Sequence, residues 1–271
     1  MAQRRAIFIT GGGSGIGRAI AQRFAAEGWF VGLGDVDEAG MAETVKLIGN
    51  GFTYAHKFDV RERDAWDEAL KAFSIAAGGR IDALANNAGV PLAGPLAALT
   101  RDEIDRTLDI NLKGVIYGAQ AVYPYLKATA PGSCLLNTAS AAAFYGFPNQ
   151  SIYGATKAGV RSLTETLDGE WGPEGIKVRS LMPSFIDTPL LAHTPNASSN
   201  VSIRQVVIDA GLEFTPVEVV AANAWDAVHG DKMHYVVGKT AEKLRFAARW
   251  MPGRLRKRSR ALDEAHARAE D

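Results

Sequence analysis

The sequence predicts an α/β fold, one doubly wound parallel sheet with helices on both faces, and three observations carry that prediction. Short apolar runs of strand length recur along the chain, segments with apolar residues at helical spacing lie between them, and the alternation repeats six or seven times. Parallel strands need long crossover connections, and helical crossovers cover both faces of the sheet they join. Such sheets bind ligands outside the carboxyl ends of their strands, so the residues just after each strand are the candidates for function.

The first run, Ala6–Thr10, passes directly into Thr10-Gly11-Gly12-Gly13-Ser14-Gly15-Ile16-Gly17, and the spacing of Ile16, Ile20 and Phe24 predicts a helix behind it. Glycines allow a tight turn and let backbone N–H groups approach a pyrophosphate at the positive end of that helix. Gly11, Gly13, Ser14, Gly15, Ile16 and Gly17 are therefore candidate nucleotide-binding positions, although TGxxxGxG is not the longer GxGxxG fingerprint. The second strand, Trp29–Gly34, leads to Asp35, 18 residues beyond Gly17. A carboxylate there accepts hydrogen bonds from ribose hydroxyls and repels a 2′-phosphate, so NAD is expected over NADP. Ser14 and Val36 stand where an arginine or lysine could have met that phosphate, and Asp37 reads as the cap of the next helix.

The third strand, Thr53–Phe58, ends at Asp59-Val60, a polar and an apolar side chain suited to an adenine edge and face. The fourth, Ile81–Asn86, closes with Asn86-Asn87-Ala88-Gly89, whose small residues and amides suit either cofactor contact or a bracket between strands. Leu99, Ile104, Leu108 and Leu112 give the next helical stripe, and Asn111 beside it offers an amide to backbone or water. After the fifth strand, Ser133–Thr138, comes Ser140, thirteen residues before Tyr153. Tyr153 and Lys157 are four apart and project from one face of a helix. A phenol that ordinarily titrates near 10 is a poor base, but an adjacent ammonium and a positive nicotinamide ring both favour phenolate.

The sixth strand, Ile176–Leu181, runs toward Pro183 to Thr188, and the stretch from Pro189 to Pro216 then breaks the rhythm as a long irregular loop, the usual form of a lid. Candidate pocket walls are Val90 to Leu96, Ala141 to Phe147, and Phe185 through Leu190 and Leu191 to Phe214. Phe144, Tyr145, Phe147 and Phe185 could enclose a ring or aliphatic chain, which favours an uncharged secondary alcohol or ketone. A seventh strand, Met233–Val237, precedes a basic C-terminal helical extension over residues 239–271. Its Lys243, Arg245, Arg249, Arg254, Arg256, Lys257, Arg258 and Arg260, with Leu244, Ala248 and Met251 at helical spacing, read as a solvated helix packed on the domain or a partner subunit, in preference to a helix on an anionic membrane.

Composition narrows the classes. In 271 residues, 47% are apolar and 22% charged, which fits a soluble globular domain and not a disordered, collagenous or disulfide-scaffold chain. Thirty basic residues balance thirty acidic ones, so no global field draws the chain to nucleic acid. Cys134 is the single cysteine, which rules out an intrachain disulfide and suits a reducing compartment. His56, His193, His229, His234 and His266 show no metal-ligand spacing, and no metal is expected. The apolar run Ala6–Ile9 is too short for a signal peptide and no spanning segment is read, so a cytoplasmic location is expected and the sequon Asn196-Ala197-Ser198 reads as a chance match.

Taken together, Thr10 to Gly17, Asp59, Asn86 to Gly89, Asn111, Ser140, Tyr153, Lys157 and Pro183 to Thr188 resemble the short-chain dehydrogenase/reductase family over roughly residues 4 to 238. The resemblance implies one Rossmann-like catalytic domain over residues 1–238, with residues 189–216 as its lid, and assembly as a homodimer or homotetramer. It implies Tyr153 as general acid/base, Lys157 lowering its pKa and bonding the nicotinamide ribose, Ser140 orienting the carbonyl or alcohol, and Asn111 supporting a water-linked proton relay. Ile186 and Thr188 would contact the carboxamide, with Pro183 a further cofactor-binding position. Ser184 departs from the glycine usual after Pro183 and leaves the local backbone in question. The expected activity is hydride transfer between NAD and an uncharged, largely apolar secondary alcohol or ketone; the alternative is a nucleotide-binding sensor or scaffold on the same fold.

Overall fold

A computed structural model describes residues 4–49, 51–192, 194–196 and 200–270, with side chains through residue 261. His193, the His266 side chain, and Ala197 and Ser198 of the sequon lie outside the described residues.

Seven parallel strands form one sheet in the order β3-β2-β1-β4-β5-β6-β7: β1 Ala6–Thr10, β2 Phe30–Asp35, β3 Thr53–Lys57, β4 Ala83–Asn86, β5 Ser133–Thr138, β6 Ile176–Pro183 and β7 His234–Val237. Each expected strand is present within one or two residues at either end. The crossovers are α1 Gly15–Ala26, α2 Glu38–Ile48, α3 Arg63–Ala76, α4 Arg101–Leu108, α5 Gly114–Thr129 and α6 Ser151–Trp171. Beyond β6 come α7 Ile203–Asp209 and α8 Val217–His229, and beyond β7 come α9 Lys239–Trp250 and α10 Pro252–Glu270.

Alternation along the strands builds two cores. Ile7 and Ile9 of β1 point to one face, where Ile20 and Phe24 of α1, Met41 of α2 and Val220 and Ala224 of α8 cover them. Ala6 and Phe8 point to the other, against Trp66, Leu70 and Phe73 of α3 and Val122 and Leu126 of α5. Fully burying such side chains stabilises the fold by roughly 1.5–3 kcal/mol each. Asp37 caps α2 by accepting from the Gly40 N–H, as expected. The strand order reverses between β1 and β4, and a cleft of about 2360 Å³ opens there, outside the carboxyl ends of the strands.

The stretch after Pro189 is less irregular than the sequence suggests. A 3₁₀ turn spans Pro189–Ala192, and α7 is capped by Ser202, whose side chain accepts from the Gln205 N–H. Val207 on α7 is buried, so an apolar residue in tertiary contact organises a segment whose polar centre reads as loop.

Candidate active site

The turn after β1 cannot be built with other residues. A Cβ on Gly17 would stand 2.1 Å from the Gly11 carbonyl oxygen, and Gly11 and Gly15 have φ of 68° and 50°. Asp35 at the end of β2 holds the turn from below: its Oδ2 accepts from the Gly13 N–H at 2.9 Å and its Oδ1 from the Asp37 N–H at 3.1 Å. Two residues that sequence reasoning missed complete the clamp. Arg18 donates to the Gly13 and Gly40 carbonyls and to Thr44 Oγ1, and the buried Thr44 hydroxyl donates to the Gly12 carbonyl at 2.9 Å. Only a basic residue in the first turn of α1 and a hydroxyl on the inner side of α2 hint at this pairing in the sequence.

Asp59, just beyond β3, is gripped by Arg61, whose guanidinium holds its carboxyl below the usual carboxylate range. Val60 beside it is buried, and its carbonyl accepts from Trp66 Nε1 at 3.0 Å. The Asn86 to Gly89 turn is firmly bracketed. Asn86 donates to the Val115 carbonyl and to Asn137 Oδ1, Asn87 Nδ2 donates to the Thr10 carbonyl, and the Asn87 and Ala88 N–H groups both donate to Thr10 Oγ1.

Asn111 sits fully buried in a π-helical segment, Asp109–Lys113, between α4 and α5. Its amide is committed in both directions to Val90, accepting from the N–H and donating to the carbonyl at 2.8 Å each. The single extra residue of a π-turn shifts the phase of the helix, a distortion common at functional sites. Here it turns a side chain inward to lock the wall that follows Gly89.

Ser140 follows β5, and its Oγ accepts from the Ala142 N–H at 3.2 Å, starting a 3₁₀ turn. Tyr153 and Lys157 lie in the first two turns of α6, with Lys157 Nζ 5.8 Å from the centre of the tyrosine ring. Tyr153 is half-buried where it lines the cleft. Burial therefore raises the Tyr153 pKa above its ordinary value, and a hydrogen bond with Ser140 acts in the opposite direction. Burial also pushes the Lys157 ammonium down to about 8. In the chain by itself, then, burial outweighs the lowering expected for the tyrosine, which stays protonated at neutral pH.

β6 ends on Pro183, and Ser184 continues its pairing, its N–H donating to the Val237 carbonyl at 3.0 Å. Gly238, with φ of 97°, gives Ser184 its room, since a Cβ there would come within 2.3 Å of Ser184 Oγ. Ile186 pairs with Thr215, and Thr188 Oγ1 donates to the Ile186 carbonyl at 3.4 Å.

The cleft gathers most of the expected residues. Gly11, Ser14, Gly15, Ile16 and Asp35 line it with Asp59, Val60 and Asn87 to Gly89; Ser140, Tyr153, Lys157, Pro183, Ile186 and Thr188 line the other end. Gly13, Gly17 and Asn111 are outside that lining, and their contacts are with the turn and wall behind it. Of the four expected aromatics, Phe147 and Phe185 line the cleft. Phe144 packs with the buried Val115, Val160 and Met182, and Tyr145 packs edge-on against Phe147. Leu244 and Ala247 of α9, Met251, and Leu255 of α10 form a further wall of the cleft, in a region expected to pack on the domain or a partner subunit but not to reach the pocket.

The cradle is electrostatically suited to a dinucleotide: Ser14, Gly15 and Ile16 at the start of α1 line one end of a cleft that has the Asp35 carboxylate beside it and a phenol, a hydroxyl and an ammonium at its far end, while the Gly11, Gly12 and Gly13 N–H groups are bonded to Gly34 and Asp35. Known proteins agree with that arrangement. The family profile for short chain dehydrogenase matches residues 5–199. The chain is 34% identical over 240 residues to the 3beta-hydroxysteroid dehydrogenase 1 of Eggerthella lenta, covering 87% of this chain and 90% of that one. A 3-ketoacyl-(acyl-carrier-protein) reductase from Brucella melitensis complexed with NADH superposes with a TM-score of 0.75 at 29% identity, over 86% of this chain and 96% of that chain. A short-chain dehydrogenase/reductase from Burkholderia phymatum in complex with NAD superposes with a TM-score of 0.81 at 25% identity, over 95% and 97% of the two chains. The chain thus belongs to the short-chain dehydrogenase family of oxidoreductases.

Proposed function

We propose that this protein is an NAD-dependent dehydrogenase or reductase acting on an uncharged, largely apolar secondary alcohol or ketone. The observation that carries the reading is the convergence of Ser140, Tyr153 and Lys157 on one end of a cleft whose other end is closed by the glycine turn and Asp35. A bound nicotinamide supplies the hydride acceptor or donor. Ser14, Gly15 and Ile16 would carry the pyrophosphate on their N–H groups, while Gly11, whose own N–H donates to the Gly34 carbonyl, shapes the turn with Gly13 and Gly17. Asp35 would hold the adenosine ribose, Asp59 and Val60 the adenine, and Asn87 to Gly89 with Pro183, Ile186 and Thr188 the nicotinamide half.

In this reading Tyr153 moves the proton. As a phenol kept protonated by burial, it can give its proton to a carbonyl oxygen; in the oxidative direction it must lose it first. Ser140, which lines the same end of the cleft as Tyr153, fixes the substrate oxygen beside that hydroxyl. Lys157 brings positive charge to the same end of the cleft, which favours phenolate when the tyrosine acts as a base. Asn111 acts by positioning, holding the Val90 backbone that borders the substrate. Phe147, Phe185, Leu191, Leu244 and Met251 give that part of the cleft an apolar lining, and the names of similar proteins include a hydroxysteroid dehydrogenase. Homo-oligomeric assembly belongs to the same proposal.

The test is turnover with NAD across steroid, cyclic and aliphatic alcohols, with the reverse reaction on the matching ketones. Tyr153→Phe is expected to bind NADH as wild type does and to lose turnover. Equal activity in that variant would sink the assignment. NAD binding with no oxidation of any alcohol would favour the sensor alternative.

A further inference from the structure

Helix α9 and the start of α10 carry two apolar surfaces, one lining the cleft and the other meeting it only through Phe246. Leu244, Ala247, Met251 and Leu255 face the cleft. Phe246 and Trp250 are one turn apart on α9 and remain 58% and 64% exposed. At about 100° per residue, they lie in the middle of the outer face, with Arg245 and Arg249 on one flank and Lys243 on the other. The Arg249 guanidinium stands 5.3 Å from the centre of the Trp250 ring. Residues 239–260 hold nine basic residues and one acidic one, a net of +8 in a chain whose totals balance. That acidic residue, Glu242, is paired with Arg245 at 2.7 Å. Arg254, Arg256, Lys257, Arg258 and Arg260 on α10 are all exposed.

We propose that this outer face docks on an anionic lipid surface, with Phe246 and Trp250 entering the headgroup layer and the surrounding cations meeting the lipid charges. Aromatic rings favour the headgroup level of a bilayer, and basic amphipathic helices bind there through apolar area and lipid charge together. A symmetric pairing of two copies through this face would instead bring Lys243, Arg245 and Arg249, the like charges that flank Phe246 and Trp250, together with those of the second copy. The rest of the chain, with 21 basic and 29 acidic residues, is repelled by the same lipids, so the field presents this face first. Among the described residues, no helix is long and apolar enough to cross a membrane, and docking needs none. Phe246 also stands at the rim of the cleft, so a docked molecule has its cleft mouth against the membrane. Delivery of an apolar substrate from the bilayer would rest on the function proposed above; the docking itself does not.

The experiment is sedimentation of the full chain with vesicles of phosphatidylcholine alone or mixed with phosphatidylserine, at low and high salt. The expected result is binding to the mixed vesicles, weakened by salt, with a blue shift of fluorescence that Trp250→Phe abolishes. Arg256→Gln/Lys257→Gln should weaken binding about tenfold or more, since each cation near such a surface contributes about fivefold. Phe246→Ser/Trp250→Ser should weaken it as well, with thermal melts showing that each variant is folded. No binding at low salt, or equal binding to neutral vesicles, would overturn the proposal. So would undiminished binding by the aromatic double variant, and a single-stranded oligonucleotide bound more tightly than the mixed vesicles would assign the face to nucleic acid instead. None of these readouts requires turnover, so the result is independent of the function proposed above.

Discussion

Lys157 Nζ donates to the main-chain carbonyl of Thr138 at 2.9 Å, an ammonium held inside the protein by a neutral oxygen at the end of β5. Such a bond orients the side chain without compensating the loss of water, and burial accordingly pushes the lysine from 10.5 down to about 8.

That shift ties stability to pH. Below about pH 8 both folded and unfolded chains hold the proton, and the fold carries the full cost of the buried charge. Between about 8 and 10.5 the unfolded state binds more protons, so stability rises with pH. Lys157→Met should therefore be the more stable protein at neutral pH, by up to about 3 kcal/mol less the cost of an unpaired Thr138 carbonyl. Its advantage should vanish as pH approaches 10.5; thermal melts of both proteins across that window check this, and a constant difference would contradict it.

Cofactor preference should follow Asp35. NADH is expected to bind about tenfold or more tightly than NADPH, because a 2′-phosphate would meet the carboxylate at close range. Asp35→Ala should narrow the gap and also weaken NADH, since the carboxylate supports the Gly13 N–H. Fluorescence titration of both reduced cofactors measures the two effects, and tighter NADPH binding by wild type would refute the preference.

Two glycine substitutions should act with opposite sign. Gly17→Ala drives a Cβ into backbone at 2.1 Å and is expected to cost more than about 3 kcal/mol or prevent folding. Gly169→Ala, in an exposed turn of α6 with no atom within 4 Å of the added Cβ, should gain about 0.5–1 kcal/mol. Denaturant unfolding distinguishes them.

The segment from 189 to 216 should respond to the complete ternary complex. Leu191 and Val207 anchor it in the cleft wall while Leu190 and Val206 are exposed, as suits a segment that closes over bound ligand. Cofactor with substrate should protect it from hydrogen exchange more than any other surface stretch, whereas cofactor alone should protect mainly residues 10–17 and the surroundings of Asp35. Equal exchange in free and ternary states would remove the lid.

The strands were legible because each is a short apolar run that must be covered on both faces, as Ile7 and Phe8 show by entering different cores. Site residues that follow strands were legible for a related reason: topology fixes where a strand end lies. What escaped the sequence depends on contacts between distant segments. Phe144 and Phe147 are three residues apart and look alike, yet only tertiary packing sends one into a core and the other into the cleft. Leu244 and Met251 read as one stripe of a helix packed on the domain or a partner subunit, and nothing local says that a cleft lies beneath them. Arg18 and Thr44 are 26 residues apart, and their bond exists only once α1 and α2 are side by side.

Their position has one more consequence. The Gly12 and Gly13 carbonyl oxygens are already occupied, by the Thr44 hydroxyl and the Arg18 guanidinium. A glycine-rich turn left free could rotate its peptides and show an arriving anion oxygen as readily as N–H. With those two oxygens tied to donors on the helix side, such rotation would break bonds already made, so an arriving anion would meet a turn that keeps its oxygens turned away.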